Sequence, residues 1–235
     1  DWFRTQSYYD GGGWRATWKG EGGGVLFNQA PHNIDLFQWI PDMMPTKVRA
    51  FCKFGKFHNI EVEDDVTAYV EYPNGATGTF ITTTGDFPGT NRLEITLEKA
   101  QIVINNDRSA NGIRIFEMDQ SSTEFSNTAT EGFGKMQGEW KDLPTDDDKN
   151  EQHVGVLNAF AAHILRGEPL IADGREGING LTISNAAFLS SWTNKEVTLP
   201  IDENKFYKLL QKKIKNSTYK KTVVEQVKKD MSGTY

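Results

Sequence analysis

The hydrophobic pattern of this chain changes period at Pro45 and changes back only after about residue 150. Before Pro45, Leu26, Ala30, Ile34 and Phe37 recur at helical spacing between Val25 and Ile40. Pro31 is compatible with that helix if Asn28 is the N-cap, because Pro31 then sits in the first turn, where amide hydrogens are unpaired anyway. After Pro45 the period is two. Val48, Ala50, Cys52 and Phe54 share one face of "TKVRAFCKF", and Val66, Ala68, Val70 and Tyr72 one face of "DVTAYVEY". Asn74-Gly75 is a hairpin turn, with "ATGTFITTT" as the returning strand. "RLEITLE", "AQIVI" and "GIRIFEM" continue the series to about Met118, an antiparallel meander of roughly six strands.

Residues 120 to 148 read as polar and irregular, ending in the negative cluster of "LPTDDDKNE". "NEQHVGVLNAFAAHILRGEP" then reads as a helix with Val154, Leu157, Phe160, Ala161 and Ile164 on one face, stopped by Gly167 and Pro169. "REGINGLTISNAAFLSSWTNK" reads as a second helix on Leu181, Ile183, Ala187 and Leu189. "VTLP" is a short strand, and "DENKFYKLLQKKIK" a last helix capped by Asp202. The lysine-rich tail, 216–235, reads as loosely held, either solvated or an interaction segment. Strands in one block with helices around them give the α+β class.

The 235 residues suffice for one large domain or two small ones, and 37% hydrophobic with 25% charged is ordinary globular composition. No run of about 18 apolar residues exists, so no membrane partner is expected. A net charge of −6 without a basic stripe argues against nucleic acid. A lone cysteine, Cys52 in an alternating apolar run, excludes an internal disulfide and fits a reducing, cytoplasmic setting. The opening "DWFRTQSYYDGGGWR" has no initiator methionine and no signal-peptide pattern, which reads as part of a longer protein; residues 1 to 24 read as loop. Neither Gly11–Gly13 nor Gly22–Gly24 follows a strand with dinucleotide-fingerprint spacing, and no P-loop or G-x-S-x-G elbow occurs.

The chemistry-bearing stretch is "WKGEGGGVLFNQAPHNID". Asn28, His32 and Asp35 fall at spacings that put side chains on one helical face. Histidine shuttles protons near neutral pH, and a neighbouring carboxylate can fix its tautomer. The glycines would let backbone approach a ligand, while Trp14, Arg15 and Trp18 offer flat surface and a fork of donors for a polyol ring. Composition alone leaves the plainer readings open: Asn28 as a cap, His32 as an ordinary helix histidine, the aromatics as core. His32 and Asp35 are only two potential metal ligands, so no metal is expected.

"WRATWKGEGGGVLFNQAPHNIDLFQWI" resembles the first segment of the C-terminal domain in the Gfo/Idh/MocA oxidoreductases, and "VEDDVTAYVEYPNGATGTFITTT", "NRLEITLEKAQIVI" and "HVGVLNAFAAHILRGEPLIADGREGINGLTISNAAFLSSWTNKEVTLPID" continue it in order to about residue 215. The resemblance implies a large, mostly antiparallel open sheet with helices on one face. It implies an N-terminal Rossmann domain, binding NAD or NADP and supplying a lysine, that is absent from this chain; residues 1–215 are then the substrate-binding and oligomerisation half, inactive alone. It assigns His32 proton transfer with the sugar hydroxyl, Asp35 a supporting place, and Gly23 and Gly24 positions near the nicotinamide. Many members carry aspartate where this chain has Asn28, which can hydrogen-bond substrate but not take a proton. His153 and Asn158 head a helix that approaches substrate by the same resemblance; His163 near its end reads as surface or as a partner of the helix C-terminal dipole, and His58 has no evident partner.

The implied function is hydride transfer on a sugar, polyol or inositol-like substrate, with a homodimer or homotetramer formed through the open sheet face. The alternative is a non-catalytic sugar-binding or regulatory module on the same scaffold, suggested by Asn28 and by the lack of a nucleotide site.

Overall fold

The computed structural model describes residues 1–105, 112–144 and 152–221. They form two compact units: Asp1–Gly89 together with the chain from Ala172 onward, and Thr90–Ile171. Much of the negative cluster of "LPTDDDKNE" and the tail beyond Lys221 lie outside the described residues.

The first unit holds a four-stranded antiparallel sheet of β1 (Lys47–Phe54), β2 (Glu63–Glu71), β3 (Thr77–Thr83) and β8 (Val197–Thr198), in the order β3-β2-β1-β8. Val48 lies opposite Val70, Ala50 opposite Ala68 and Cys52 opposite Val66, so the alternating apolar residues share one buried face. Burial pushes the Cys52 thiol well up, so it stays a neutral, inert core group. The Asn74-Gly75 turn forms: the Ala76 amide donates to Asn74 Oδ1 (3.0 Å) and the Gly75 amide to Tyr72 O (3.0 Å).

Helix α6 (Gly177–Thr193) covers this face with Ile183, Ala186, Ala187 and Phe188. A single 3-10 turn, Gly174–Glu176, leads into it through an Asp173 capping box. Strand β8 pairs only with Lys47 and Val48, leaving β1 amides further along without a strand partner. Hydroxyls from α6 meet them: Ala50 N donates to Ser190 Oγ (2.9 Å) and Cys52 N to Ser191 Oγ (3.1 Å). Helix α7 (Glu203–Lys215) starts as expected, with Asp202 accepting from Lys205 N (3.0 Å). The chain beyond α7 is not loose as far as Lys221, because Ser217, Tyr219 and Lys221 all hydrogen-bond back to the unit.

The second unit holds the antiparallel sheet β4 (Arg92–Thr96), β5 (Ala100–Asn105), β6 (Ile113–Met118) and β7 (Gly138–Leu143), with helices α4 (Ser122–Thr128) and α5 (Gln152–Arg166). The strands therefore divide between two sheets instead of forming one meander. Strand β7 and helix α4 fall in the stretch that reads as irregular. Every residue of β7 is exposed, so "GEWKDL" shows no alternation, and α4 is announced only by Ser121 accepting from Glu124 N. Helix α5 forms where expected, yet Val154, Leu157, Phe160 and Ile164 remain exposed and only Ala162 is buried.

The segment before Pro45 departs from a single helix. It contains α1 (Gln6–Asp10), α2 (Val25–Asn28) and α3 (Pro31–Trp39). Pro31 opens α3 after Ala30, and Asn28 ends α2 instead of capping α3. The glycines explain the tight seat of α2. A Cβ on Gly24 would lie 2.1 Å from the Glu63 carbonyl oxygen, and one on Gly23 would lie 2.8 Å from the Phe188 and Phe27 rings. The Glu63 carboxylate is wholly buried and accepts from Gly24 N (2.8 Å) and Leu26 N (2.9 Å), meeting the free amides at the start of α2. Burial nonetheless pushes its pKa up to about 8.

Two outcomes follow for stability. Gly24→Ala sets a methyl against backbone that cannot yield, so denaturant unfolding is expected to show a loss of about 3 kcal/mol. Between the usual carboxylate range and pH 8 the folded chain retains a proton on Glu63 that the unfolded chain has released, so its contribution to stability falls as pH rises through that window. Glu63→Gln is expected to flatten the slope of unfolding free energy against pH from 5 to 8.

Candidate functional site

The chain enters along the end of β3, where Trp2 N donates to Thr83 O (3.0 Å) and Arg4 N to Thr84 O (2.9 Å). This places α1 against the core, with Tyr9 buried and its hydroxyl 2.8 Å from Thr84 Oγ1. The neighbouring Tyr8 is half-buried and becomes the hub of a polar network.

Arg15 Nη1 donates to the Tyr8 hydroxyl (2.5 Å), which donates to Asn28 Oδ1 (2.8 Å). Gln29 Nε2 donates to both oxygens, at 3.0 Å each. Asn28 Nδ2 in turn donates to Glu21 Oε1 (2.9 Å), and Glu21 Oε2 accepts from Ala16 N (2.8 Å). The carboxylate that position 28 lacks is therefore one hydrogen bond away. Burial raises the Glu21 pKa, against the opposing pull of the Ala16 amide, Asn28, Arg15 and Lys221.

The Arg15 guanidinium lies 4.4 Å from the ring centroids of both Trp14 and Tyr8. Arg4 flanks the same tyrosine from 5.2 Å and lies 5.8 Å from Trp2. Trp14 remains 48% exposed. The result is a shelf of aromatic rings carrying two cations. Trp18, by contrast, is core: it is buried against Phe54, Phe188 and Trp192.

His32 is the second residue of α3 and is exposed; among the described residues its ring has no hydrogen-bond partner. Asp35 is exposed on the same helix and accepts from Gln38 Nε2 (3.0 Å), so it does not fix the histidine's tautomer here. Gly23 and Gly24 are buried, and the space beside them is filled by Phe27, Phe188, Val62 and Glu63. Their lack of a Cβ serves this packing.

The remaining histidines take separate places. His153 and Asn158 lie on α5, in the second unit, while every residue of the network lies in the first. His163 Nδ1 sits 2.6 Å from Glu168 O at the exposed end of α5. His58 has two partners: Nδ1 lies 3.1 Å from the buried Asp64 carboxylate, and Nε2 lies 2.8 Å from Arg4 O. A carbonyl only accepts, so Nε2 carries the proton there. Among the described residues no three His, Cys, Asp or Glu side chains gather as a metal site, and no helix is long and apolar enough to cross a membrane.

Sequence reasoning finds Asn28, Arg15 and Trp14 but misses Tyr8, Glu21, Gln29 and Arg4. Those four lie in irregular segments or on very short helices, where no periodicity marks which side chains converge.

Residues 1–103 match the model of the GFO/IDH/MocA C-terminal domain. Among solved structures, the chain resembles the WlbA dehydrogenase of Chromobacterium violaceum in complex with NADH and UDP-GlcNAcA: 28% identity, 86% of this chain, 53% of that one, TM-score 0.61. It also resembles the WlbA dehydrogenase of Bordetella pertussis in complex with the same two compounds: 25% identity, 86% of this chain, 52% of that one, TM-score 0.62. The aldose-aldose oxidoreductase of Caulobacter crescentus shares the fold at 19% identity, over 79% of this chain and 50% of that one, TM-score 0.57. No curated protein matches. The chain spans about half the length of these solved structures. Over its first 103 residues the chain is therefore similar to the C-terminal domain of the GFO/IDH/MocA oxidoreductases, and its fold is shared with these dehydrogenase structures.

Proposed function

We propose that this chain supplies the substrate side of an NAD(P)-dependent oxidoreductase acting on a carbohydrate, with His32 as the acid/base group. The observation that carries the reading is an exposed histidine, without a hydrogen-bond partner among the described residues, four residues beyond an asparagine already oriented by Tyr8, Gln29 and Glu21. A neutral imidazole can take a hydroxyl proton as the alcohol carbon becomes a carbonyl, and return it in reverse. The dinucleotide, held by a domain outside these residues, supplies the hydride acceptor. Asn28 Oδ1 and Nδ2 are both engaged within the network, so this residue orients and does not titrate.

Arg4 and Arg15, stacked on Trp2, Tyr8 and Trp14, suit an anionic sugar, for which guanidinium forks and flat rings are the usual complement. UDP-GlcNAcA, the compound bound in both WlbA structures, has that chemistry and is the first substrate to try. The single buried thiol is consistent with work in the cytoplasm.

Self-association through the open sheet face belongs to the same reading. Phe51, Thr67 and Ile81 stand in one row across β1, β2 and β3. Phe51 is 54% and Ile81 63% exposed, with Tyr69 nearby at 41%. An apolar row on a sheet face favours a second copy as cover.

In the full-length protein, with NAD⁺ and UDP-GlcNAcA, His32→Ala is expected to lower kcat by about 10²–10⁴-fold and to leave stability within about 0.5 kcal/mol, as for an exposed site. Unchanged turnover would refute the acid/base role. Sedimentation at micromolar concentration should give a dimer or tetramer for the parent and a smaller species for Ile81→Glu; a monomeric parent would count against the interface.

A further inference from the structure

The Gly11–Gly13 run is left without a role by the site itself. Three adjacent glycines between α1 and Trp14 lose much backbone freedom on folding, yet Arg15 must be held over Tyr8 and Trp14. The holding group comes from the far end of the chain. Lys221 Nζ donates to Tyr9 O and to Arg15 O, both at 2.7 Å, so one ammonium closes the segment that contains all three glycines.

Lys221 is itself held in place. Ser217 donates to the Glu61 carboxylate, and Tyr219 OH donates to Asn59 O (2.8 Å). Asn59 N donates to Gln6 Oε1 on α1 (2.8 Å), and Glu61 also accepts from Trp18 N (2.7 Å). The residues after α7 thus lie across the 59–61 loop and reach the start of the site. Desolvation lowers the Lys221 pKa, while Glu21 and Asp10 support its charge.

We propose that residues 217–221 form a strap whose end, Lys221, is a positioning residue for the substrate site. It fixes the Arg15 main chain, Arg15 fixes the Tyr8 hydroxyl, and Tyr8 orients Asn28. The inference rests on the functional reading above for its link to substrate, but the clamp itself is a statement about structure alone.

The test uses the full-length protein with Lys221→Met, which keeps bulk and removes the donor, and Lys221→Arg, which retains a cation and donors. Amide hydrogen exchange over residues 10–16 reads the clamp. Loss of a charge-assisted hydrogen bond is expected to speed exchange there roughly tenfold in Lys221→Met, with far less change in Lys221→Arg. With NAD⁺ and UDP-GlcNAcA, KM for the sugar nucleotide should rise about tenfold in Lys221→Met with kcat within about twofold. Unchanged exchange would overturn the clamp. Faster exchange with unchanged KM would overturn its service to the substrate site. If Lys221→Met does not fold, Tyr219→Phe, which removes one strap bond, is expected to show the same exchange change in smaller degree, and no change would overturn the proposal. A parent protein without turnover would sink the functional reading, and the exchange result would then decide the strap by itself.

Discussion

Glu63 and Asp64 are adjacent on β2, at the point where its register against β1 shifts, and are both wholly buried. Buried carboxylates must be met by N–H groups, so each one dictates the path of the chain segment that meets it. Glu63 draws in the start of α2 through Gly24 and Leu26, and only glycine lets that backbone come close enough. Asp64 gathers the amides of Lys56, Phe57 and His58 at 2.8–3.0 Å, with the His58 ring beside them. His58 then bonds Arg4 O, fixing the entry of the chain. The two carboxylates therefore set where α1 and α2 lie, and with them Tyr8 and Asn28.

The network around Tyr8 inherits its geometry from this arrangement. Tyr8 comes from α1, Arg15 and Glu21 from the following loops, and Asn28 and Gln29 from the end of α2. None of these segments is long enough to be stable by helix propensity alone. They are held by side chains that cross between them, and by Lys221 from the other end of the chain. The residues of this network are almost fully hydrogen-bonded, while His32, on the next short helix, is exposed.

Period-two patterning made β1 and β2 readable because their apolar residues face one core and their polar ones do not. Strand β7 was invisible because it has no buried face, and α4 because its signal is a single cap. The glycine run reads two ways in the sequence. Three glycines before a histidine suit a ligand approach as well as a tight helix seat, and the filled space beside Gly23 and Gly24 shows the tight seat. Asn28 likewise reads as a cap at the right distance from Pro31, although its side chain is committed elsewhere.

The sequence by itself determined the α+β class, the strands and helices with strong periodicity, the hairpin at Asn74-Gly75, and His32 as the residue worth testing. These depend on spacing along the chain, which a linear pattern records. Only the tertiary structure decided the division into two sheets, the buried carboxylates that anchor α1 and α2, the partners of His58, and the line from Lys221 through Arg15 and Tyr8 to Asn28. Those contacts join residues up to 206 positions apart, and no local pattern encodes which distant polar group will meet a buried one.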